Sequence, residues 1–196
     1  MCGRYVFFTD PELLEIKQII AHIQAKDKTF QTGEIFPSQM APAVFDDAGH
    51  LDADAFLWGF PQYQRSGVLI NARSETVLEK PTFRDSFRQR RCVLPAAGFY
   101  EWDSRKQKYF FTDPRSPIIY LAGIYRPFEG ANRFVILTTE ANDAMRPIHD
   151  RMPVTITPGH LLEWCSDPDS AQRLLNEASH TPWAISTPKD RQQTLF

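Results

Sequence analysis

Fifteen prolines distributed along 196 residues place the strongest limit on how this chain folds. Proline fixes φ and has no backbone N–H, so it interrupts helices and is kept out of sheet interiors. The prolines fall mostly between short apolar and aromatic segments of the kind that form β-strands, and Pro37 and Pro42 break up the stretch after the first helix. We therefore expect an α+β fold: a single domain over 1–196 with a twisted, mostly antiparallel, barrel-like β core and flanking short helices.

The first helix is expected over about 11–24. Thr9-Asp10-Pro11-Glu12 has the pattern of a capping box, with proline near the first helical position, and apolar residues then recur at helical spacing from Leu13 to Ile23. The remaining elements are expected as strands over 55–60, 68–72, 91–94, 99–102, 109–112, 118–125, 133–138 and 154–157, and as short helices over 82–88, after 139, and over 159–165 and 170–178.

Charge and cysteine usage narrow the class of protein. The net charge of −2 gives no global attraction to nucleic acid, so any such binding must come from a local patch. The polar N-terminus and the lack of a long apolar run predict no secretory signal and no membrane span, which makes the cytoplasm the expected location. The three cysteines are odd in number and far apart, which argues against disulfides and a metal site, and Cys92 and Cys165 are expected to be buried. We expect no cofactor.

Cys2 is the residue with the most distinctive chemistry. Cysteine at position 2 normally permits removal of Met1, and the mature chain would then begin with an α-amine beside a thiol. Their pKa values of about 8 and about 8.5 leave both partly nucleophilic near neutral pH. Such a 1,2-aminothiol condenses with an aldehyde to an imine, which the thiol closes to a five-membered thiazolidine. By itself, cysteine at this position could equally be an accident of the start codon.

Three further residues are candidates for chemistry, each with a structural alternative. Asn71 follows an apolar segment and could pin the N-terminal amine or an oxyanion, or satisfy local backbone. Glu101 alternates with large aromatic residues, so on a strand it would share a face with Phe99. Apolar surroundings there would raise the pKa of its carboxyl group, which suits proton transfer. Alternatively, Glu101 faces solvent on a half-exposed strand. His149 lies between arginines and prolines and could exchange protons near neutral pH, or be structural.

A basic window over 80–91 and two tryptophans could contact nucleic acid. Arg84 and Arg88 share a face if this window is helical, which suits either a solvated surface or a phosphate-binding patch. Trp58 and Trp102 could stack on unpaired bases or lie in the core.

Taken in order, these motifs resemble the SOS response-associated peptidase (SRAP) family of abasic site processing proteins. The likeness runs from Met1 to about Trp164 and is specific. It consists of the segments Met1-Cys-Gly-Arg, Leu57-Trp-Gly-Phe60, Asn71-Ala-Arg-Ser-Glu-Thr76, Arg91-Cys-Val-Leu-Pro95, Gly98-Phe-Tyr-Glu-Trp102, Ala122-Gly-Ile124, Thr138-Thr139 and His149-Asp-Arg-Met-Pro153.

The resemblance implies a function and a set of roles. Family members bind single-stranded DNA at an abasic site, and the N-terminal cysteine captures the ring-opened sugar as a thiazolidine after autocatalytic removal of whatever precedes it. It implies that Cys2 is the nucleophile, Asn71 orients the N-terminus, Glu101 is the acid/base, and His149 assists ring opening and crosslink reversal. The residues it implies for holding DNA, together with the stacking candidate, are Arg4, Pro37, Trp58, Arg73, Trp102 and Arg151.

We expect a monomer whose partner is single-stranded DNA containing abasic sites, associated with the nucleoid when bound. Two positions depart from the family pattern: Glu34 replaces an asparagine, and Pro81 replaces an arginine, with Lys80 beside it. The chain after about Ser166 has no clear match.

Two other classes of function compete with this one. An N-terminal-nucleophile amidohydrolase would also begin with cysteine followed by glycine, although no glutamine-pocket signature is visible. A non-catalytic module binding single-stranded DNA would not need Cys2. A general protease has little support, because no Ser-His-Asp order or metal motif is present.

Overall fold

The computed structural model describes residues 2–10, 12–62, 66–177 and 181–187, and strands make up most of its regular structure. The strands are β1 (Tyr5–Phe7), β2 (Gly33–Ile35), β3 (Met40–Asp47), β4 (His50–Trp58), β5 (Phe60–Pro61), β6 (Val68–Leu69), β7 (Asn71–Arg73), β8 (Arg91–Ala96), β9 (Gly98–Trp102), β10 (Lys108–Thr112), β11 (Ile119–Phe128), β12 (Ala131–Glu140), β13 (Arg151–Pro153), β14 (Thr155–Ile156) and β15 (Ala184–Ser186). The helices are α1 (Leu14–Gln24), α2 (Pro81–Gln89), α3 (Leu161–Ser166) and α4 (Pro168–Glu177), with 3₁₀ turns at Ser74–Thr76 and Pro158–His160.

Five strands close into a ring at the centre of the molecule. They run in the order β12-β4-β3-β8-β11, and β11 pairs back onto β12. The β4–β12 pairing is parallel and the other four are antiparallel. β7 and β13 extend from β12, and β14 extends from β11. The expected α+β class with a mostly antiparallel, barrel-like core is confirmed.

The helices pack around this ring through apolar side chains. α1 buries Ile16, Ile19 and Ile23. The buried Arg91 guanidinium donates to the backbone carbonyls of Phe87, Trp164 and Cys165, at 2.7, 2.7 and 2.9 Å, and so ties α2 and α3 to β8. None of the helices in the described parts of the chain is long and apolar enough to cross a membrane.

A second sheet, β15-β10-β9-β1-β2, carries the N-terminal segment. On β9, Phe99 and Glu101 point inward and are 0% and 2% exposed, whereas Trp102 lies half-buried on the outer face. The predicted alternation is therefore confirmed. β1 pairs with β9 through Tyr5 opposite Phe99, and this register leads the segment before β1 toward Glu101.

Three local expectations were wrong. α1 begins at Leu14 because Asp10 forms a turn instead of a cap: its carboxylate accepts the Glu12 N–H at 2.9 Å; Pro11 lies outside the described residues. No helix follows Thr139, since β12 continues to Glu140 and turns occupy 143–148.

Pro42 lies inside β3, although the sequence predicts that this proline interrupts regular structure. It pairs with Ala55 of β4 on one side. On the other side the β8 ladder includes only Val44 and Phe45, so no bond to β8 is missing at the proline.

Candidate active site

Cys2 lies immediately before β1 and is completely buried. Asn71, at the start of β7, donates from Nδ2 to the Cys2 carbonyl oxygen at 3.2 Å. β7 is fixed by its parallel pairing with β12, in which Asn71 lies opposite Ile136. The Asn71 Oδ1 atom is buried and accepts no hydrogen bond from any described residue. Asn71 therefore holds the N-terminal segment through Nδ2, while its Oδ1 acceptor is not used by any described residue.

Glu101 projects from the inner face of β9 toward this N-terminal segment. Burial raises the pKa of its carboxyl group. Burial also raises the pKa of the Cys2 thiol, and the Glu101 charge raises it further, so these two groups interact electrostatically. The thiol is consequently held in its neutral form and the carboxyl group is biased toward its protonated form.

His149 lies in the turns between β12 and β13, with its side chain 23% exposed. Its Nδ1 is 3.0 Å from both the Arg151 backbone N–H and an Asp150 carboxylate oxygen. The backbone N–H can only donate, so the neutral ring carries its proton on Nε2, and the Asp150 contact becomes a hydrogen bond only when the ring is cationic. The His149 charge partly offsets the effect of burial on the Glu101 pKa.

The structure thus brings Cys2, Asn71, Glu101 and His149 together from four separate parts of the chain. A buried thiol, a buried carboxyl group with a raised pKa, a half-buried amide and a half-buried imidazole form one group of side chains. This set can carry out addition to a carbonyl followed by acid-assisted loss of water. Among the residues that the structure describes, no cluster of three or more His, Cys, Asp or Glu side chains could hold a metal ion.

Trp58 does not fit the expected base-stacking role. It is 0% exposed, its ring stacks on Phe134 with centroids 5.9 Å apart, and it lies 5.3 Å from the Tyr5 ring. The indole N–H donates to the Ile70 carbonyl at 3.0 Å. Both faces of this tryptophan are used by the core, which leaves none for a base.

Arg151 is likewise occupied within the fold. Its two terminal nitrogens each lie 2.8 Å from a Glu75 carboxylate oxygen, and Nη2 also donates to the Thr138 carbonyl at 2.7 Å. The side chain is 10% exposed. Through these contacts Arg151 fixes the strand that follows His149, and its expected contact with the DNA backbone stays a prediction.

The outer face of the second sheet carries two of the remaining DNA-binding candidates. The Arg4 guanidinium lies over the Phe36 ring at 4.2 Å and the Trp102 ring at 5.1 Å. Its Nη1 contacts Glu34 at 3.1 Å, and Lys108 contacts the other oxygen of Glu34 at 3.0 Å.

The other candidates surround the buried site. Pro37 is half-buried directly after Phe36, and Arg73 is exposed two residues beyond Asn71.

Within the basic window, Arg84 and Arg88 are exposed on α2, whereas Arg91 is buried and structural. Cys92 and Cys165 are free and buried, as expected.

The sequence analysis missed several partners of these residues. Glu75 was not identified as the partner of Arg151, because the two are 76 positions apart. Lys108 was also missed, although a hairpin joining β9 to β10 would have placed it opposite Trp102. A cavity of about 810 Å³ includes Glu75, Thr139 and Arg146 in its lining but not Cys2, Asn71, Glu101 or His149.

Comparisons with known proteins show the family and the fold of this chain. A family model described as SOS response associated peptidase (SRAP) matches residues 1–188. The chain is 30% identical over 227 aligned positions to abasic site processing protein YoaM of Bacillus subtilis, which covers 100% of this chain and 97% of YoaM. Abasic site processing protein YedK of Escherichia coli is 29% identical over 177 positions, covering 84% of this chain and 79% of YedK. A crystal structure of a Bordetella bronchiseptica protein has the same fold, with a TM-score of 0.77, 22% identity, and coverage of 95% of this chain and 99% of that one.

Proposed function

The chain belongs to the SOS response-associated peptidase (SRAP) family, and from this membership we propose that it processes abasic sites in DNA. We further propose that it does so by covalent capture of the ring-opened sugar in single-stranded DNA through Cys2, after hydrolysis of the Met1–Cys2 peptide bond. The observation that best supports this is the convergence of Cys2 with Asn71, Glu101 and His149.

The capture requires only the groups present in the site and the DNA aldehyde. The freed α-amine of Cys2 adds to C1′ of the sugar and gives a carbinolamine. Loss of its hydroxyl group as water, with a proton supplied by an acid, gives an imine. The thiol sulfur then bonds to C1′, its proton passes to nitrogen, and the thiazolidine closes. One water is released for each crosslink.

Glu101 is the proposed acid for the dehydration step. Its raised pKa keeps a larger protonated fraction than an exposed carboxyl group would have. In its ionised form the carboxylate can accept a proton from the amine during capture and, in the earlier self-processing step, from a water that attacks the Met1–Cys2 bond. The same residue would thereby serve both capture and self-processing.

His149 and Asn71 are proposed to position and assist. His149 presents Nε2–H as a hydrogen-bond donor because Nδ1 accepts from the Arg151 backbone, and this donor is suited to hydrogen-bond to a sugar oxygen and polarise it during ring opening. The unused Asn71 Oδ1 is suited to accept a hydrogen bond from the freed amine and so aim it at the aldehyde.

The DNA strand is proposed to approach along the outer face of the second sheet. Arg4 and Trp102 lie there, with Pro37 nearby in the chain, and Arg73 is exposed beside the site. Covalent capture removes the need for tight non-covalent binding, which agrees with a chain whose net charge is −2. We propose that the protein acts as a cytoplasmic monomer that joins the nucleoid through damaged DNA.

The test is adduct formation with a single-stranded oligonucleotide carrying an aldehydic abasic site, read on a denaturing gel after heating. The wild-type protein should give a stable adduct with this DNA and none with an undamaged strand. Cys2→Ala keeps an amine but lacks the thiol, so it should give an adduct only when borohydride traps the imine.

Cys165→Ala is the matched control, because it removes a buried cysteine elsewhere and should retain the adduct. A heat-stable adduct in Cys2→Ala would contradict the thiazolidine. DNA binding that is unchanged in Cys2→Ala, with no adduct in any variant, would favour a non-catalytic binding module instead.

A further inference from the structure

Glu34 lies on β2, the strand at one edge of the second sheet, and its side chain contacts cations on the outer face of that sheet. Its Oε2 lies 3.1 Å from Arg4 Nη1, and its Oε1 lies 3.0 Å from Lys108 Nζ. The three side chains are 25–36% exposed, so solvent reaches them from one side. One carboxylate therefore bridges two cations, on β10 and before β1, that would otherwise be available to an incoming anion.

Aromatic rings hold both cations in place beneath this carboxylate. Arg4 lies over Phe36 at 4.2 Å, and Lys108 lies over Tyr100 at 3.7 Å. Cation–π contacts of this kind orient the charged groups without neutralising them. The neutralising group is Glu34, and removing it would leave two positioned cations facing solvent.

We propose that Glu34 acts as an internal competitor of DNA, occupying the position that a backbone phosphate takes between Arg4 and Lys108. This inference rests on the proposed function. Two carboxylate oxygens contact the two cations in the way that two non-bridging phosphate oxygens would. The pair of cations against one carboxylate retains one net positive charge, which draws a phosphate in, while the displaced carboxylate repels it.

The competitor does not depend on protonation near neutral pH. Partial desolvation acts to raise the pKa of Glu34, but hydrogen bonding and charge from Lys108, with the charge of Arg4, outweigh it, and the net pKa is lowered. Glu34 thus remains a carboxylate at neutral pH and leaves the cations only when another anion or salt replaces it. As a consequence, the non-covalent affinity for undamaged strands is lower and depends less on salt concentration. A strand then stays bound only after covalent capture.

The test uses Glu34→Gln and a single-stranded oligonucleotide with a tetrahydrofuran abasic analogue, which has no aldehyde and reports binding alone. Removing the competing charge should raise affinity at low salt by about 3- to 10-fold and steepen the dependence of log K on log salt by about 0.7, the value for one additional phosphate contact on a single strand. Glu177→Gln is the matched control, since it removes an exposed carboxylate paired with Arg173 at 3.6 Å, and it should change neither quantity.

Equal affinity and equal salt slope in Glu34→Gln and wild type would overturn the competitor. If Glu34→Gln failed to fold, Glu34→Asp would decide, because its shorter side chain cannot span both cations and should give an intermediate gain; no gain would overturn the inference. Adduct formation with an aldehydic site is measured in parallel. Its absence from every variant overturns the proposed chemistry, whereas unchanged affinity with a normal adduct overturns only the role of Glu34.

Discussion

Burial of Glu101 has two effects: it destabilises the ionised carboxylate in the folded state, and it suits the protonated side chain to proton transfer. The side chain is 2% exposed, on an inward position otherwise filled by aromatics, and burial raises its pKa. Near neutral pH a larger fraction of such a carboxyl group is protonated than in water, so it is more effective as a general acid. The same burial makes its ionised form unfavourable to the folded state.

Replacing Glu101 with Gln should slow adduct formation by about 100-fold or more, the usual contribution of a positioned general acid, with little change in affinity for the tetrahydrofuran analogue. The wild-type rate should fall as pH rises through the Glu101 pKa, because only the protonated carboxyl group donates. Glu101→Gln should lack this alkaline decline. Rate constants measured across pH by quenched gel assays check the prediction, and an equal loss of rate and affinity would instead make Glu101 structural.

The same variant should be more stable than wild type at neutral and higher pH. A carboxyl group with a raised folded-state pKa stabilises the native form below its unfolded pKa and loses that contribution as pH rises through the folded value. Gln carries no such loss, so its Tm should exceed that of wild type, by about 2–4 °C for each kcal/mol gained in a chain of this size. Thermal melts at several pH values measure it, and a lower Tm at pH 8 would contradict the assignment.

The two arginines that the sequence placed on DNA should now behave differently. Arg73→Ala removes an exposed cation and should reduce the salt slope of binding by about 0.7. Arg151→Lys cannot keep the two-pronged contact with Glu75 and the bond to Thr138, so it should lower stability by about 1–3 kcal/mol and leave the slope unchanged. Denaturant melts and salt titrations separate the two, and a reduced slope in Arg151→Lys would restore its contact with DNA.

At the scale of elements, β9 links the fold to the site. Gly98 begins this strand, and a Cβ there would lie 2.4 Å from the Phe111 carbonyl oxygen and 2.6 Å from the Phe110 ring. Only glycine allows β10 to approach so closely. This close contact fixes the position of β9 relative to β10, and with it the position of Glu101.

Gly98→Ala should therefore destabilise the fold by about 1–3 kcal/mol, as overpacking does, and should reduce the rate of adduct formation in the fraction that remains folded. Gly159→Ala is the control, because a Cβ there meets nothing within 4 Å. Denaturant unfolding and adduct kinetics measure both. Wild-type behaviour in Gly98→Ala would show that β9 can shift without consequence.

Local patterns were sufficient to predict β9 and α2, because strand alternation and helical spacing depend only on near neighbours. They failed at β3, where the tolerance of Pro42 depends on which strand lies beside it. They could not show the surroundings of Trp58 and Arg151, which come from β12 and the 3₁₀ turn at Ser74–Thr76. Asn71 and Cys2 are 69 positions apart, so their contact became visible only in the fold.

At the scale of the whole molecule, the closed barrel and the second sheet together place Cys2 near side chains from β7, β9 and the turns before β13. β7 is held by β12 of the ring, and β1 and β9 pair in the second sheet, so that a buried cysteine and a buried carboxyl group can be kept close. The net charge of −2 provides no general attraction to DNA. Under the proposed function, selectivity for damage depends on the aldehyde that only an abasic site offers.

The central claim is that the amine and thiol of Cys2 close a ring on that aldehyde. Intact mass spectrometry of the protein incubated with an aldehydic abasic oligonucleotide, without any reductant, tests it most directly. Ring closure by Cys2 should give one new species whose mass equals the chain without Met1 plus the oligonucleotide minus one water. An unmodified protein mass after complete incubation, or an adduct that retains Met1, would contradict it.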